Sequence, residues 1–271
     1  MSGALAAAPL ARGASPRRVL AVAERNATRF LAGGSYWWVV ITGLAEPLFY
    51  LGAIGWGVGV LVGDVALSDG RTVPYLAFVA PGLLAAAAAN ATFGESTINF
   101  FAKLKYWRLY EAVINTPVTA SEIVLGELTW ALARGALYSV TFLVVMVGAG
   151  LTTPLVAAAA FPAALLLGCA FSSLGLALST WMRNWQDFEY VGAVRFAMFV
   201  FSDTFASIAA LPPALQLAVQ LGPLYQGVHL IRDVTEGHFS AASVANVGYL
   251  LALSLVAVIV ASRRMEKRLR K

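Results

Sequence analysis

The chain has 271 residues, of which 59% are hydrophobic and 12% are charged, and its net charge is +5 at pH 7. A soluble domain carries about 25% charged residues, so the composition excludes an ordinary soluble protein and predicts a polytopic membrane protein whose apolar surface faces lipid. The single cysteine, Cys169, excludes an intramolecular disulfide and a CxxC metal site.

Residues 15–34 are predicted to form an amphipathic helix at the membrane interface. Ser15 can cap this helix, and Pro16 suits its first position. Apolar side chains from Val19 to Phe30 share one face, while basic side chains occupy the opposite face. A basic amphipathic helix of low overall hydrophobicity is typical of segments that lie in the plane of the membrane surface.

About twenty apolar residues are needed to cross the hydrocarbon layer. The sequence predicts six such spans, at residues 39–62, 73–93, 123–151, 154–181, 190–211 and 243–261. The predicted fold is therefore an all-α integral membrane protein that forms one domain over residues 1–271.

The segment 206–242, before the last span, is predicted to be an extracellular re-entrant helical hairpin. It contains Pro212, Pro213 and Pro223, so it is too broken to cross the membrane twice, and it is too apolar for a free loop. Irregular backbone at membrane depth is tolerated where it is buried in protein or lines water.

The distribution of Lys and Arg predicts that both termini are cytoplasmic. With this orientation, fifteen of the nineteen cations lie in cytoplasmic segments, Arg71 and Arg232 lie outside, and Arg134 and Arg195 fall within spans. Cytoplasmic loops of membrane proteins carry such an excess. The same rule explains the basic ends of the chain, so no nucleic-acid partner is expected.

The stretch 95–121 is predicted to contain a short cytoplasmic helix, a break and a new helix. The sequence Asn115-Thr116-Pro117 ends the first helix, because the residue before a proline is disfavoured in helical geometry. Thr119 or Ser121 can cap the second helix, whose first turn carries Glu122 at the positive helix start.

Cations and aromatic side chains alternate within this stretch. The cations are Lys103, Lys105 and Arg108, and the aromatic residues are Phe100, Phe101, Tyr106, Trp107 and Tyr110. Aromatic residues and Arg dominate the hot spots of protein interfaces, so we expect Arg108 and Tyr110 to anchor a cytoplasmic partner. The alternative is a membrane-interface anchor, a role that Trp and Tyr commonly have.

Five ionisable residues lie within or near the predicted spans: Glu46, Glu127, Arg134, Arg195 and Asp203. Each costs about 2.5–3.5 kcal/mol at a helix centre, so each needs a partner or water. One alternative is a structural bridge or a side chain that reaches the interface, and the other is a substrate path or gate. For Glu46 the two alternatives are evenly balanced, because the following Pro47 frees a backbone carbonyl within the helix.

Signatures of common catalytic sites are absent from the sequence. It contains no GxxxxGK[ST] phosphate loop, no HExxH and no GxSxG. His229 and His238 have no evident third ligand, so no metal site is predicted. The sequence therefore predicts neither catalytic residues nor a cofactor bound by this chain.

The order of these elements resembles that of ABC-2 type exporter permeases, and the local sequence is similar to the branch of nodulation-factor (lipo-oligosaccharide) and daunorubicin-type drug exporter permeases. Four stretches carry the resemblance: YLAFVAPGL at 75–83, NTPV at 115–118 leading to Gly126 and Glu127, FSDTF at 201–205, and GPLYQGV at 222–228. Where family members often continue the third stretch with an aromatic residue and a proline, this chain has Ala206, Ser207 and Ile208.

The resemblance implies an export subunit of the bacterial inner membrane that moves a lipid-linked saccharide, a glycolipid or an amphipathic drug. It implies a pair of permeases, identical or related, driven by two separate subunits that bind ATP and Mg. The expected ATPase-coupling residues are Glu95, Lys103, Arg108, Tyr110, Asn115, Thr116 and Pro117. The expected translocation path or gate comprises Glu46, Glu127, Arg134, Arg195, Asp203 and Phe205.

Two other classes of function remain open from the sequence. A membrane-embedded lipid or glycosyl transferase would show clustered His, Asp or metal ligands at one membrane face, and none cluster in this sequence. A secondary transporter is expected to have repeated halves with matching helix breaks, yet the polar break at 95–121 has no counterpart.

Overall fold

A computed structural model describes residues 14–34, 36–66, 72–205, 208 and 211–269. The α-helices are α1 (Pro16–Ala32), α2 (Tyr36–Gly52), α3 (Gly59–Val62), α4 (Tyr75–Gly94), α5 (Leu109–Val113), α6 (Ala120–Gly148), α7 (Pro154–Ser179), α8 (Asp187–Val200), α9 (Pro213–Gln220), α10 (Pro223–Glu236) and α11 (Ala241–Leu269). Three π-helical segments, Ala53–Val58, Glu95–Asn99 and Ala102–Tyr106, extend α2 and α4. Residues 1–13, 67–71 and 270–271, which include several of the cations used to predict topology, lie outside the described part.

Helix α4 lies at the centre of the fold and packs against α6, α7 and α10. Its residues from 79 to 89 are buried on every side, as expected for a helix that is apolar all round. Small residues let the neighbouring helices approach closely: Gly135 of α6 and Gly168 of α7 both face Thr92, and an added Cβ on either would collide with that side chain.

Four helices in the described residues are long and apolar enough to cross a membrane: Tyr75–Tyr106, Ala120–Gly148, Pro154–Ser179 and Ala241–Leu269. They correspond to the second, third, fourth and sixth predicted spans. The second extends well beyond its predicted end at residue 93, because the π-helical segments carry it to Tyr106. The predicted first span, 39–62, is helical throughout, and the count of six spans stays a prediction.

The prediction of a continuous fifth span at 190–211 is wrong. Helix α8 has 14 residues and ends at Val200, so it is only about 21 Å long at 1.5 Å per residue. The chain then turns through Asp203, whose φ of 64° is left-handed, and Thr204 is fully buried beside Gly82 of α4. Apolar character continues past residue 200 because this turn packs into the protein, not because the helix continues.

The described part of segment 206–242 contains α9 and α10. Helix α10 packs against α4, α7 and α11, and Gly227 lies directly on Leu167. The segment therefore belongs partly to the protein core, while its re-entrant placement stays a prediction. Residues 206, 207, 209 and 210 lie outside the described part.

The all-α prediction missed a small antiparallel hairpin between the first two predicted spans. Strand β1 (Asp64–Ala66) pairs with β2 (Thr72–Pro74), and Val65 lies opposite Val73. Each strand has three residues, which is too short for an alternating pattern to be recognised in the sequence.

Helix α1 packs along α6 at a glycine. A Cβ on Gly126 would lie 2.5 Å from Cβ of Val22 and 2.8 Å from the carbonyl oxygen of Val19. We therefore expect Gly126→Ala to destabilise the protein by about 1–3 kcal/mol, because it forces α1 away from α6. Thermal unfolding of the detergent-solubilised chain measures this effect. The control is Gly148→Ala on the same helix, where an added Cβ meets open space; equal unfolding temperatures for the two variants would contradict the packing argument.

Candidate functional site

The starts of helices α1 and α6 are joined by Glu122. Thr119 caps α6, as the sequence predicts, and forms a capping box in which its N–H donates to Glu122 Oε2 at 2.8 Å. The Ser15 backbone N–H donates to Glu122 Oε1 at 2.9 Å. Ser15 stands at the N-cap of α1, but its side chain makes no capping bond, so the predicted cap is replaced by this contact to α6.

Glu127 of α6 is buried and has three donors from two other segments. Lys103 Nζ lies 2.7 Å from Oε2, while Asn26 Nδ2 and Arg25 donate to Oε1 at 2.9 and 3.2 Å. A buried carboxylate is costly unless it is paired and hydrogen-bonded. Helix α1 and the extension of α4 therefore supply the charge that Glu127 requires.

Glu95, at the start of the α4 extension, has a similar set of partners. Trp130 Nε1 donates to Oε1 at 2.9 Å, and Arg134 donates to Oε2. Lys103 Nζ lies 3.7 Å from Oε1, so this one ammonium group bridges Glu95 and Glu127. We call the set Arg25, Glu95, Lys103, Glu127 and Arg134 the ionic network.

The ionic network unites residues for which the sequence predicts two different roles. Glu95 and Lys103 are expected in the coupling region, and Glu127 and Arg134 in a membrane path. The structure brings all four together where α1, the α4 extension and α6 meet. Glu127 and Arg134 share a helix, and both pair with the α4 extension, which is the arrangement of structural bridges.

Tyr110 lies inside the protein and not on the surface expected of a docking anchor. It is only 1% exposed, and its ring packs 5.5 Å from that of Phe100. Burial, with the nearby Glu127 carboxylate, raises the pKa of Tyr110 well above its usual value, so the phenol stays protonated at physiological pH. Tyr110 can therefore influence a partner indirectly, through the packing of α5 and through Arg25, whose guanidinium lies 5.9 Å from its ring centroid.

The surface of this region is formed by the turn at residues 106–108, which we call the exposed turn. Tyr106 and Trp107 are 55% and 59% exposed, and the Arg108 side chain is also largely exposed. Arg108 has a left-handed φ of 45°, so the chain reverses at this point and presents the three side chains outward. The Arg29 guanidinium of α1 lies 5.7 Å from the Trp107 ring centroid.

The short loop at 182–189 adds to this surface. The ring of Trp185 stacks on Tyr106 at a centroid distance of 5.2 Å. Asp187 accepts hydrogen bonds from the backbone N–H groups of Arg183 and Asn184, and these bonds lower the pKa of its carboxyl group. The negative charge of Asp187 thereby fixes the loop that holds Trp185.

The predicted break at Asn115, Thr116 and Pro117 is present between α5 and α6. Thr116 Oγ1 donates to the Val113 carbonyl at 2.6 Å, which closes the turn after α5. Arg18 of α1 donates to the carbonyl of Pro117. The break is therefore held by the turn itself and by α1.

Glu46 of α2 opens onto a cavity of about 310 Å³ between α2, α4 and α6. Asn90 and Asn99 line it with Tyr138, and Glu95 and Arg134 border it from the ionic network. The cavity is thus a polar space between helices of the first, second and third predicted spans. Glu46, one of the ionisable residues predicted to lie within a span, therefore lines an open cavity.

Arg195 lies near Glu46, whereas Asp203 lies elsewhere. Arg195 of α8 acts electrostatically on Glu46, and its guanidinium lies 6.0 Å from the Phe93 ring. Asp203 Oδ2 accepts a hydrogen bond from the buried Arg232 at 2.9 Å. Phe205 packs with Phe199 near this bridge. Asp203 and Phe205 thus form a cluster apart from Glu46 and Arg134, which share one cavity.

We expect Asp203→Asn to destabilise the protein by about 3–5 kcal/mol, because it leaves the buried Arg232 without its counter-charge. Asn tolerates the left-handed backbone of position 203, so a loss of stability would come from the removed charge and not from backbone strain. Thermal unfolding in detergent measures it, with Asp64→Asn on the exposed hairpin as the control. If Asp203→Asn unfolds at the wild-type temperature and only export is lost, Asp203 belongs to the transport path instead.

Sequence reasoning missed Arg25, Asn26, Trp130 and Arg232 as members of these sites. The sequence pattern places Arg25 on the polar face of an interfacial helix and Arg232 in an outside loop, because charge pattern alone does not show a partner more than twenty residues away. Asn26 carries a usable signal: an amide on an amphipathic helix beside apolar residues needs a hydrogen-bond partner.

The long apolar helices define a multi-pass membrane protein, and the polar residues described above form bridges and an exposed surface. The chain belongs to the ABC-2 type transporter family, whose profile matches residues 17–235. It is 31% identical over 231 residues to nodulation protein J of Rhizobium meliloti (strain 1021), covering 85% of this chain and 86% of that protein. It is also 31% identical over 227 residues to nodulation protein J of Rhizobium leguminosarum bv. trifolii, covering 83% and 85%. The chain is thus an ABC-2 type permease.

Proposed function

We propose that the chain is the membrane-spanning subunit of an ATP-driven exporter that moves a lipid-linked saccharide, a glycolipid or an amphipathic drug out of the cytoplasm. The family match over most of the chain supports this role. The sequence lacks a GxxxxGK[ST] phosphate loop, so the energy must come from another chain. The proposed complex contains two permeases, identical or related, and two ATP-binding subunits that hold ATP and Mg.

The observation that carries the coupling mechanism is the position of Lys103. This residue lies three positions before the exposed turn and pairs with Glu127 of α6 and Glu95 of the α4 extension. In the proposed mechanism, an ATP-binding subunit contacts residues 106–108. Movement there is transmitted through the ionic network to α6 and α1, because paired buried charges cannot separate without a large cost.

The proposed topology has cytoplasmic termini in the bacterial inner membrane and six crossings, of which α8 and the turn after it make the fifth. Residues 95–121 face the cytoplasm, and residues 206–242 face outward. The distribution of Lys and Arg supports this orientation. It also agrees with the exposed turn, since Tyr106, Trp107 and Arg108 offer the residue types of an interface.

The Glu46 cavity is the proposed place where cargo contacts the path. Its lining combines two carboxylates, two amides, a phenol and a guanidinium, groups that hydrogen-bond to a polar cargo portion. The surrounding helices expose apolar side chains, such as Leu44 and Leu48 of α2, which suit the apolar portion of an amphipathic cargo.

Co-purification from native membranes tests the function. We expect a subunit with a phosphate-loop motif to purify with the chain in equal number, and mass spectrometry of the intact complex identifies every subunit and bound lipid. A chain that purifies with no ATP-binding subunit would contradict the proposal.

Glu46→Gln tests the path in the same complex. We expect this variant to assemble with its ATP-binding subunits but to lose export, by at least about tenfold if one charge-assisted hydrogen bond to cargo is lost. Glu24→Gln, which changes an exposed carboxyl on α1, should export normally. Failure of Glu46→Gln to assemble would instead assign Glu46 a structural role.

A further inference from the structure

A cavity of about 400 Å³ lies between the exposed turn and the end of helix α11. It is lined by Leu104, Lys105, Arg108, Glu111, Arg268 and Leu269. One wall comes from the α4 extension and α5, and the other from the last residues described in α11. The cavity is separate from the ionic network and from the Glu46 cavity.

The cavity has an excess of positive charge. Lys105, Arg108 and Arg268 line it together with one acid, Glu111, whose carboxylate lies 3.9 Å from Arg108. Within the described residues, neither Lys105 nor Arg268 makes a side-chain hydrogen bond or an ion pair, although Lys105 is close enough to Asp187 to act on it electrostatically. Arg264, one turn before Arg268, acts on it as a like charge. Three cations gathered around one acid favour an anion between them.

The position of the cavity along α11 indicates the source of that anion. Helix α11 belongs to the helices long and apolar enough to cross a membrane, and its apolar stretch ends near residue 261. Arg268 is seven residues further on, about 10 Å along the axis. The headgroup layer extends about 5–8 Å beyond the hydrocarbon on each side, and the long Arg268 side chain can reach back toward it, so we place the cavity at the outer edge of the headgroup layer.

The remaining lining residues suit a lipid. Leu104 and Leu269 give the cavity an apolar part beside its cations. A free phosphate ion would need the cations alone, whereas a phospholipid uses both kinds of surface.

We propose that this cavity binds the phosphate group of an anionic phospholipid from the cytoplasmic leaflet. Lys105 and Arg268 hold the phosphate from opposite walls, and Arg108 contributes when it turns from Glu111. Juxtamembrane Lys and Arg residues attract anionic lipids in this way.

The lipid would fasten the coupling region to the last helix. Met265 of α11 is already buried in a cluster with Phe100, Leu104 and Tyr110. A phosphate that bridges Lys105 and Arg268 adds a polar contact at the edge of this cluster. It also relieves the repulsion among cations on the two walls.

Thermal unfolding of the detergent-solubilised chain, with added phosphatidylglycerol or phosphatidylcholine, tests the proposal. We expect phosphatidylglycerol to raise the unfolding temperature of the wild type, because a ligand that binds the folded state stabilises it. Arg268→Gln and Lys105→Gln should each weaken the apparent affinity about fivefold. Lys267→Gln is the matched control, since it removes the same charge from the neighbouring exposed position outside the cavity.

Each outcome decides the proposal. Phosphatidylglycerol stabilisation that is retained in Lys267→Gln and weakened in Arg268→Gln and Lys105→Gln supports it. Equal increases in the unfolding temperature of all variants, or no increase in the wild type with phosphatidylglycerol, overturn it. A separate experiment adds inorganic phosphate to the chain in phosphatidylcholine micelles. If phosphate raises the unfolding temperature and the effect depends on Arg268, the site binds soluble phosphate, and the lipid assignment is overturned. Because the readout is unfolding, these results do not depend on export or on an ATP-binding subunit.

Discussion

Lys103→Met is expected to destabilise the protein by about 3–5 kcal/mol, because it leaves two buried carboxylates without their shared cation. Methionine keeps a long apolar side chain and removes only the charge. Glu127 then loses its shortest ion pair, and Glu95 loses a cation 3.7 Å away. Both carboxylates are buried, so neither can recover the lost interaction from water.

Lys105→Met provides the matched control, two residues away. The Lys105 side chain is exposed and has no ion pair among the described residues. In phosphatidylcholine micelles, removing its charge should therefore lower the free energy of unfolding by less than about 0.5 kcal/mol. Thermal unfolding of both variants and the recovery of folded protein after extraction give the comparison. Similar unfolding temperatures and similar recoveries of folded protein for the two variants would show that Lys103 does not stabilise the fold.

Glu127→Gln in the Lys103→Met background separates charge from packing. Removing the second charge should recover part of the stability, because the buried carboxylate no longer lacks its partner. A double variant that loses the full sum of both effects would show that the two side chains do not interact.

Local signals in the sequence predict the region around residues 109–122 well. The proline at 117 follows the end of a helix, and Thr119 with Glu122 forms the capping box that starts α6. These features depend on atoms within a few residues of one another. They are therefore encoded locally and can be recognised without knowledge of the fold.

The ionic network could not be predicted from such signals. Arg25 and Glu127 are separated by about a hundred positions, and neither residue's neighbours indicate the partner. Hydropathy alone also could not distinguish apolar residues that continue a helix from those that pack into a turn, as after Val200. In both cases the tertiary contact, not the local pattern, determines the structure.

Tyr110 shows the same limit for a single residue. The alternation of cations and aromatic residues predicts that Tyr110 and Arg108 share one exposed surface. The left-handed backbone at Arg108, however, reverses the direction of the chain just before Tyr110. Arg108 is directed outward, and Tyr110 packs inward against Phe100. Sequence spacing gives no sign of that reversal, because non-glycine residues rarely adopt this conformation.

The second large effect is expected from Trp107→Ala combined with Arg108→Ala. Both side chains are exposed, so their loss should leave the fold intact. If the exposed turn is the contact with the ATP-binding subunit, the substitutions remove two hot-spot residue types and should cost at least about 2 kcal/mol of binding each. The chain should insert and fold, while its partner dissociates or no longer responds to cargo.

Two controls keep this prediction specific. The first is Trp181→Ala, another exposed tryptophan that lies outside the exposed turn and packs under Arg264. The second is the unfolding temperature of the double variant, which should stay close to that of the wild type. If the double variant unfolds at a clearly lower temperature, its loss of activity would come from a folding defect and not from lost coupling.

The most direct measurement is the ATPase activity of the reconstituted permease complex, with wild type and the Trp107→Ala, Arg108→Ala variant side by side, together with the amount of ATP-binding subunit retained. The proposed mechanism predicts that the folded variant loses most of the retained subunit or most of the cargo-stimulated activity. Wild-type retention and wild-type stimulation in the variant would contradict the central claim that residues 106–108 receive the movement produced by ATP hydrolysis.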